Sequence, residues 1–315
     1  MRAVVTGGCG FIGSHVVDRL LGAGHEVLVI DSAPAGGPAV RTNPSAEYVR
    51  TDILDLAGLT AALAGSDVVF HLAATANVDQ VATDPVQATR MNVDGTVSVL
   101  EAARRAGSAR VVLASTVWVY GAAYDPPGAD DVELTEDTPI DLGRTGHLYV
   151  AGKLAAELAV HSYHDLYGQH FTILRYGIPY GPRMRDELVI ARFVQAALAG
   201  RPITIAGDGG QTRNWVYVED LAEAHVRALS PAAQDQTFAL EGGTAVSIRE
   251  VADTVSGLLG PVTIEHVPAR AADYAGRAIS NAKAKRLLGW SPKTPFSDGV
   301  GRYIDWYRST EAGRG

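Results

Sequence analysis

Cysteine is almost missing from this 315-residue chain. Cys9 is the only one, so no intramolecular disulfide can form, and a cysteine-rich metal centre has no ligands. Cys9 falls inside a glycine turn and reads as a small buried thiol, not a reactive one. Long apolar runs are also missing, since no stretch approaches the ~20 residues that a membrane span needs. No secretion signal is visible: Met1-Arg2 leads at once into a short β-like run, Ala3 to Thr6, and a cytoplasmic location is expected. An excess of positive charge is missing too. With 27 basic against 35 acidic residues, a net charge of -8 and no block of like charge, nucleic acid is not the expected partner. An acidic protein can still bind an anionic small molecule through a local pair of arginines.

What is present is an ordinary soluble composition, 47% hydrophobic and 20% charged, in a chain long enough for one large α/β domain or two unequal lobes. The first half alternates branched-apolar runs with helical patterns. R-A-V-V-T, H-E-V-L-V-I-D, D-V-V-F-H-L-A, A-R-V-V-L-A-S and F-T-I-L-R-Y read as strands. Helices are expected over Gly13–Gly24, over roughly Val86–Ala106, and around Tyr149 and Lys153. Buried strands that alternate with helices predict an α/β fold, a Rossmann-type doubly wound parallel sheet. The expected cofactor domain is 1–176, with a smaller substrate lobe over 177–315 and a segment near 212–241 returning to the main sheet. The Pro-, Gly- and Asp-rich stretch Gly121–Gly146 is too long for a simple connector and is expected to border a cleft.

Gly7, Gly10 and Gly13 lie between the first strand and the first helix, where they allow a tight turn and close approach of backbone to a pyrophosphate. The free N–H groups of the helix start favour the same anion. Asp31 ends the second strand about 20 residues on, as a dinucleotide fingerprint requires. Its carboxylate suits ribose hydroxyls and repels a 2′-phosphate, and Ser32 follows it where an NADP site would favour arginine, so NAD is the expected cofactor. Asp52 and Ile53 are candidates for the adenine end.

Tyr149 and Lys153 are four residues apart, which places a phenol and an ammonium on one helix face. An ordinary phenol ionises only well above neutral pH. A neighbouring ammonium and a positive nicotinamide favour phenolate, so Tyr149 is expected to have a lowered pKa and to act as a base. Ser115 and Thr116, at the end of the fifth run, are the candidate hydroxyls to orient a substrate oxygen. Taken alone, the pair also fits two ordinary helix-surface residues.

The motifs T-G-G-C-G-F-I-G, Asp31, Asp52-Ile53, H-L-A-A, N-V-D-G-T, S-T-V-W-V-Y-G and Y-V-A-G-K occur in order. L-R-Y-G-I-P-Y-G-P-R, G-D-G-G-Q-T-R-N-W-V-Y-V-E-D and L-L-G-W-S-P-K follow. Over essentially its whole length the chain resembles the extended short-chain dehydrogenase/reductase family, in its nucleotide-sugar branch. The resemblance implies tightly held NAD, bordered by Gly7, Gly10, Phe11, Ile12 and Gly13 of the turn. It adds Leu72, Ala73 and Ala74 of the H-L-A-A motif, Asn92, Ser115 and Tyr176. It makes Thr116, Tyr149 and Lys153 the catalytic residues, puts Trp118 and Ile178 beside the sugar, and gives Arg213 and Arg270 to the diphosphate. Either arginine fits a surface ion pair instead. Homodimers formed through a helix bundle are typical of the family, and the helices Val86–Ala106 and Val150–Tyr167 are candidates for it.

The departures from the family are informative. Dehydratases of this family carry Asp-Glu after the catalytic Thr, and decarboxylating relatives carry Glu, whereas this chain has Val117-Trp118. Ile178 stands where relatives have an Asn, and Gly152 where Ser is common. The lost carboxylic acid favours simple 4-epimerisation of a UDP-sugar. The run G-P-R-M-R-D-E-L resembles one in UDP-glucuronate 4-epimerases, and Arg185 or Arg192 offers charge for a C6 carboxylate, placing UDP-glucuronate slightly ahead of UDP-glucose, with UDP-N-acetylglucosamine third. The rivals are a decarboxylase, a net oxidoreductase and a non-catalytic NAD-binding regulator. No metal is expected.

Overall fold

The computed structural model describes residues 1–33, 41–121, 133–144, 146–269 and 278–312. Seven strands form one parallel sheet: β1 (Arg2–Thr6), β2 (Glu26–Asp31), β3 (Glu47–Arg50), β4 (Val68–His71), β5 (Arg110–Thr116), β6 (His170–Tyr176) and β10 (Gln236–Leu240). Their spatial order is β10-β6-β5-β4-β1-β2-β3, so the order reverses between β1 and β4. That crossover opens a crevice at the carboxyl ends of the strands, which is where a dinucleotide binds in a Rossmann-type sheet.

The apolar runs are continuous because successive side chains point to opposite faces and both faces are covered. Ala3 and Val5, Val27 and Val29, and Val112 and Ala114 enter one core, against helices α1 (Phe11–Gly22), α8 (Val218–Arg227) and α10 (Ala282–Leu288). Val4, Leu28, Ile30, Val111 and Leu113 enter the other, beneath α2 (Leu56–Ala62), α5 (Gly95–Ala106) and α6 (Leu148–Tyr167). Trp290 is fully buried on the first side and donates its indole N–H to the Asp220 carbonyl at 2.7 Å, tying the C-terminal L-L-G-W segment to α8.

The first helix starts at Phe11, two residues before the expected Gly13. The helix expected from Val86 is a succession instead. After α3 (Val78–Thr83), α4 (Pro85–Thr89), capped by the Asp84 carboxylate, passes through a π-helical turn at Arg90–Asp94 into α5, which stops at Gly107 with φ +72°.

The lobe contains β7 (Ile178–Tyr180), α7 (Val189–Leu198), β8 (Ile203–Ala206), β9 (Thr212–Tyr217), β11 (Ala245–Ser247), α9 (Ile248–Leu259), β12 (Ile264–Val267) and α11 (Phe296–Ala312). Its own core includes Tyr180, Phe193, Ile203, Val251 and Tyr303. The chain leaves the main sheet after β6 and returns as β10, which pairs in parallel with β6. Of the segment expected to return, β9 stays out: it pairs with β7 and β11 in a three-stranded sheet of the lobe. In the long connector, residues 122–132 and 145 lie outside the described residues. Leu134 forms a bridge with Ile279, and the Glu136 carboxylate accepts the Ala239 N–H at 2.8 Å, so that part of the connector is fastened to the edge strand.

Candidate active site

A cleft of about 480 Å³ opens at the carboxyl ends of the strands, where the sheet order reverses. Its floor is the glycine turn. Gly7 has φ +71°, and a Cβ there would lie 2.8 Å from the Ala73 nitrogen. A Cβ on Gly13 would lie 2.2 Å from the Gly7 carbonyl oxygen. Only glycine lets β1, the loop after β4 and the start of α1 close around a ligand at this point. Gly10, Phe11 and Ile12 line the same floor, and the α1 N-cap, Gly10, uses no side-chain cap.

Asp31 and Ser32 line one end of the cleft. The Asp31 carboxylate accepts the Cys9 and Ala33 N–H groups, each at 3.0 Å, which fixes its orientation. Burial, helped by that carboxylate, pushes the Cys9 thiol up to about 11, as suits an unreactive thiol. Leu72, Ala73 and Ala74 line the adjoining wall. Asp52, Ile53 and Asn92 are not among the lining residues. Asp52 accepts the Leu54 N–H at 2.9 Å, and Ile53 is buried over Gly95. Asn92 grips Thr75 from beneath: its Oδ1 accepts the Thr75 N–H at 2.8 Å and its Nδ2 donates to the Thr75 carbonyl at 3.0 Å. A Cβ on Gly152 would lie 3.3 Å from the Asn92 Cβ, a tight contact between α6 and the helix that carries Asn92.

A buried polar ladder aligns this wall. The Thr96 hydroxyl donates to the Asn92 carbonyl at 2.7 Å and so accepts from His71 Nε2 at 3.1 Å. His71 Nδ1 is then free to accept the Thr6 hydroxyl at 2.8 Å, and Thr6 accepts the Ala73 N–H at 3.3 Å. Burial lowers His71 to about 3, so the ring is neutral at pH 7.

Thr116, Tyr149, Lys153 and Tyr176 line the other end, brought together from β5, α6 and β6. Lys153 is buried and donates to the Ala114 carbonyl at 2.8 Å. Burial lowers its pKa to about 8, against an opposing pull from Glu157. Burial pushes Tyr149 up to about 12, and the charge that draws it back down is Arg185. The chain's own groups do not give the phenol the expected downward shift: desolvation outweighs the Arg185 charge, and the Lys153 ammonium is directed at a backbone carbonyl. Tyr176 donates its hydroxyl to His225 Nε2 at 2.5 Å, since His225 Nδ1 donates to the Leu221 carbonyl.

The two candidate hydroxyls separate. Ser115 donates to Glu157, which also takes a bidentate pair from Arg175 at 3.0 and 2.7 Å. Thr116 accepts the Trp118 N–H at 3.2 Å and keeps its own proton available to the cleft. Glu157 follows Lys153 at the same four-residue step that joins Lys153 to Tyr149, a helical spacing visible in the sequence but not used above.

Trp118 lines the cleft with its ring edge-on to Tyr149 at 6.3 Å, and His147 stacks on Tyr149 at 6.0 Å. Ile178 and Arg185 also line it. Arg192 does not; it is exposed on α7. Arg213, on β9, lies outside the lining and donates to the Thr212 carbonyl at 2.7 Å. Arg270 is outside the described residues. Among the described lining residues, Asp31 is the only carboxylate, and Val117 is buried away in a core cluster.

The model of the NAD dependent epimerase/dehydratase family matches residues 3–240. The chain belongs to that family. This family member is 37% identical to a UDP-glucose 4-epimerase of Mycolicibacterium smegmatis over 98% of its length and 99% of the relative's. It is 36% identical to UDP-glucuronic acid decarboxylase 1 of Arabidopsis thaliana, over 98% of this chain and 70% of that one. Among solved structures, the UDP-glucose 4-epimerase of Thermus thermophilus in complex with NAD superimposes with a TM-score of 0.86 at 33% identity, covering 98% of this chain and 99% of that one. NAD is the cofactor of this epimerase/dehydratase family protein. Among its described residues, no helix is long and apolar enough to cross a membrane.

Proposed function

We propose that the chain is a UDP-sugar 4-epimerase, with UDP-glucuronate slightly preferred over UDP-glucose. One observation carries this reading. Thr116, Tyr149 and Lys153 share a cleft with the glycine turn, while the positions after Thr116, where dehydratases and decarboxylases of this kind place a carboxylic acid, hold Val117 and Trp118. Elimination from the sugar needs a proton donor there, and simple inversion does not.

The glycine floor, the start of α1 and Asp31 would hold NAD, whose pyrophosphate suits the open N–H groups and whose ribose suits the carboxylate. Bound NAD supplies the acceptor that takes up and returns the hydride of C4. Tyr149 removes the proton of the 4-hydroxyl, and the Thr116 hydroxyl orients that oxygen. Tyr149 acts in this step as the phenolate and becomes the phenol, and Lys153, anchored on Ala114, supplies positive charge that favours the phenolate beforehand. The 4-keto sugar turns within the cleft before its second face is reduced. Arg185 reaches the cleft from the lobe side and gives a C6 carboxylate a partner, which supports the acidic sugar. Arg213 and Arg270 are proposed for the diphosphate. Exposed Val86, Val97, Leu158, Leu166 and Tyr167 on α4–α6 support a homodimer formed by pairing these helices.

The test is proton NMR of the protein incubated separately with UDP-glucuronate and UDP-glucose, with no cofactor added. A galacto-configured anomeric signal is expected, and the substrate that gives it faster decides between the sugars. Release of carbon dioxide would mark a decarboxylase, and accumulating NADH an oxidoreductase. Tyr149→Phe should abolish turnover and keep NAD. If it retains activity, the assignment of the base is wrong.

A further inference from the structure

A second cluster of chemically competent side chains lies at the amino ends of the strands, away from the cleft. His164 in the last turn of α6, His170 at the start of β6 and Asp235 just before β10 each offer one ligand atom, and these atoms all lie within 4.8 Å of one another. His164 Nδ1 is 3.6 Å from Asp235 Oδ1, and His170 Nδ1 is 2.9 Å from Asp235 Oδ2. The Gln169 carbonyl is 3.3 Å from His164 Nδ1. All three side chains are partly open to solvent.

The carboxylate is held in place from two directions. Asp235 has φ +58°, its N–H donates to the Phe171 carbonyl at 2.7 Å, and its Oδ1 accepts the Phe171 N–H at 3.1 Å. A single His170–Asp235 ion pair would account for that carboxylate. A second imidazole, His164, faces the same carboxylate at 3.6 Å with its Nδ1 also 3.3 Å from the Gln169 carbonyl, so two rings converge on one carboxylate.

We propose that His164, His170 and Asp235 form a binding site for a borderline divalent cation of the zinc type. Two imidazole nitrogens and a carboxylate oxygen are the ligand set such ions prefer. Bonds of about 2.0–2.2 Å to one tetrahedral centre put neighbouring ligand atoms about 3.3–3.6 Å apart; the His164–Asp235 spacing of 3.6 Å meets this, and His170, now 2.9 Å from the carboxylate, would have to move outward to share the ion. Two neutral imidazoles and one carboxylate carry a single negative charge, which a divalent ion offsets, and the exposed side leaves a position for water. The ion would tie the end of α6 to the first residue of β6 and to the returning edge strand. Its role is to fasten these elements, and it takes no part in the reaction.

The experiment is titration of the chelator-stripped, untagged chain with Co2+, read by visible absorption, followed by displacement with Zn2+ and calorimetry. One saturable ion per chain is expected, with affinity at least 10-fold weaker in His164→Gln and in His170→Gln and unchanged in a His25→Gln control. Bound NAD, read in the same samples, reports that each variant is folded. Absence of saturable binding in the wild type overturns the site. So does a one-to-one site of equal affinity in both histidine variants, which would place an adventitious ion elsewhere.

Discussion

Glu241 fills the space that a side chain at residue 177 would need: a Cβ on Gly177 would come within 2.3 Å of Glu241 Oε1. Gly177 lines the cleft, so this buried carboxyl backs the wall beside Tyr176. Burial raises its pKa from the ordinary 4.5 to about 8, so it is mostly protonated at neutral pH.

The sign of the resulting pH dependence is fixed. The folded state holds the Glu241 proton more tightly than the unfolded one, so its contribution is full below pH 4.5, declines as the pH rises to about 8 and is lost above that. Glu241→Gln should flatten this slope and raise stability at pH 8.5 by on the order of a few kcal/mol relative to wild type. Urea unfolding at pH 5, 6.5 and 8.5 measures it; identical slopes in both proteins would assign the titration to another group. Gly177→Ala should be destabilising at every pH.

Ser115 and Thr116 should fail differently. Ser115→Ala removes a donor from buried Glu157 and is expected to cost about 1–3 kcal/mol of stability while turnover falls little. Thr116→Val keeps the volume and should lower kcat by about 10²–10⁴-fold with a nearly unchanged melting temperature. Thermal melts and epimerisation rates on the same preparations separate the two.

Arg185 is expected to act on both substrate choice and pH. Arg185→Leu should lower kcat/KM for UDP-glucuronate by about 10–100-fold, the value of one charge-assisted hydrogen bond, and hardly affect UDP-glucose. Arg185 also draws the Tyr149 pKa downward, so the acid limb of the kcat/KM profile should move to higher pH in the variant. A profile that does not move would separate Arg185 from the phenol.

The sheet and half of the cleft are legible in the sequence because they rest on local rules. The glycine turn needs glycine for a positive φ and for close approach, Asp31 ends a strand, and Tyr149 and Lys153 share a helix face. What the sequence hides depends on burial and on distant partners. The ionisation of Tyr149 is set by desolvation, which no spacing reveals. That Ser115 points to Glu157 while Thr116 stays free depends on the packing of α6 against β5 and β6. Arg192 follows Arg185 at a plausible helical interval, yet the start of α7 turns it to solvent. Glu241 and Gly177 are 64 positions apart, and only the return of β10 beside β6 makes them neighbours.

The helices α4–α6 carry the proposed dimer surface. Leu158 is 64% exposed and Leu166 71% exposed, and both lie on α6 about two turns apart. The double change Leu158→Glu and Leu166→Glu should turn a dimer into a monomer in sedimentation velocity runs, with the folded circular dichroism spectrum retained. If the wild type already sediments as a monomer, the helix-pairing proposal is lost.

The return of β10 also has a consequence during synthesis. When residue 176 leaves the ribosome, six strands of the main sheet exist, and β6, apolar on both faces, stands as a raw edge. Its partner is encoded some 60 residues later, beyond β7, α7, β8, β9 and α8. The nascent chain must therefore shield an aggregation-prone strand while it makes half of the lobe's elements, and folding of the two parts cannot run strictly one after the other. Cutting the gene after β6 should yield an insoluble fragment, not a small cofactor-binding protein.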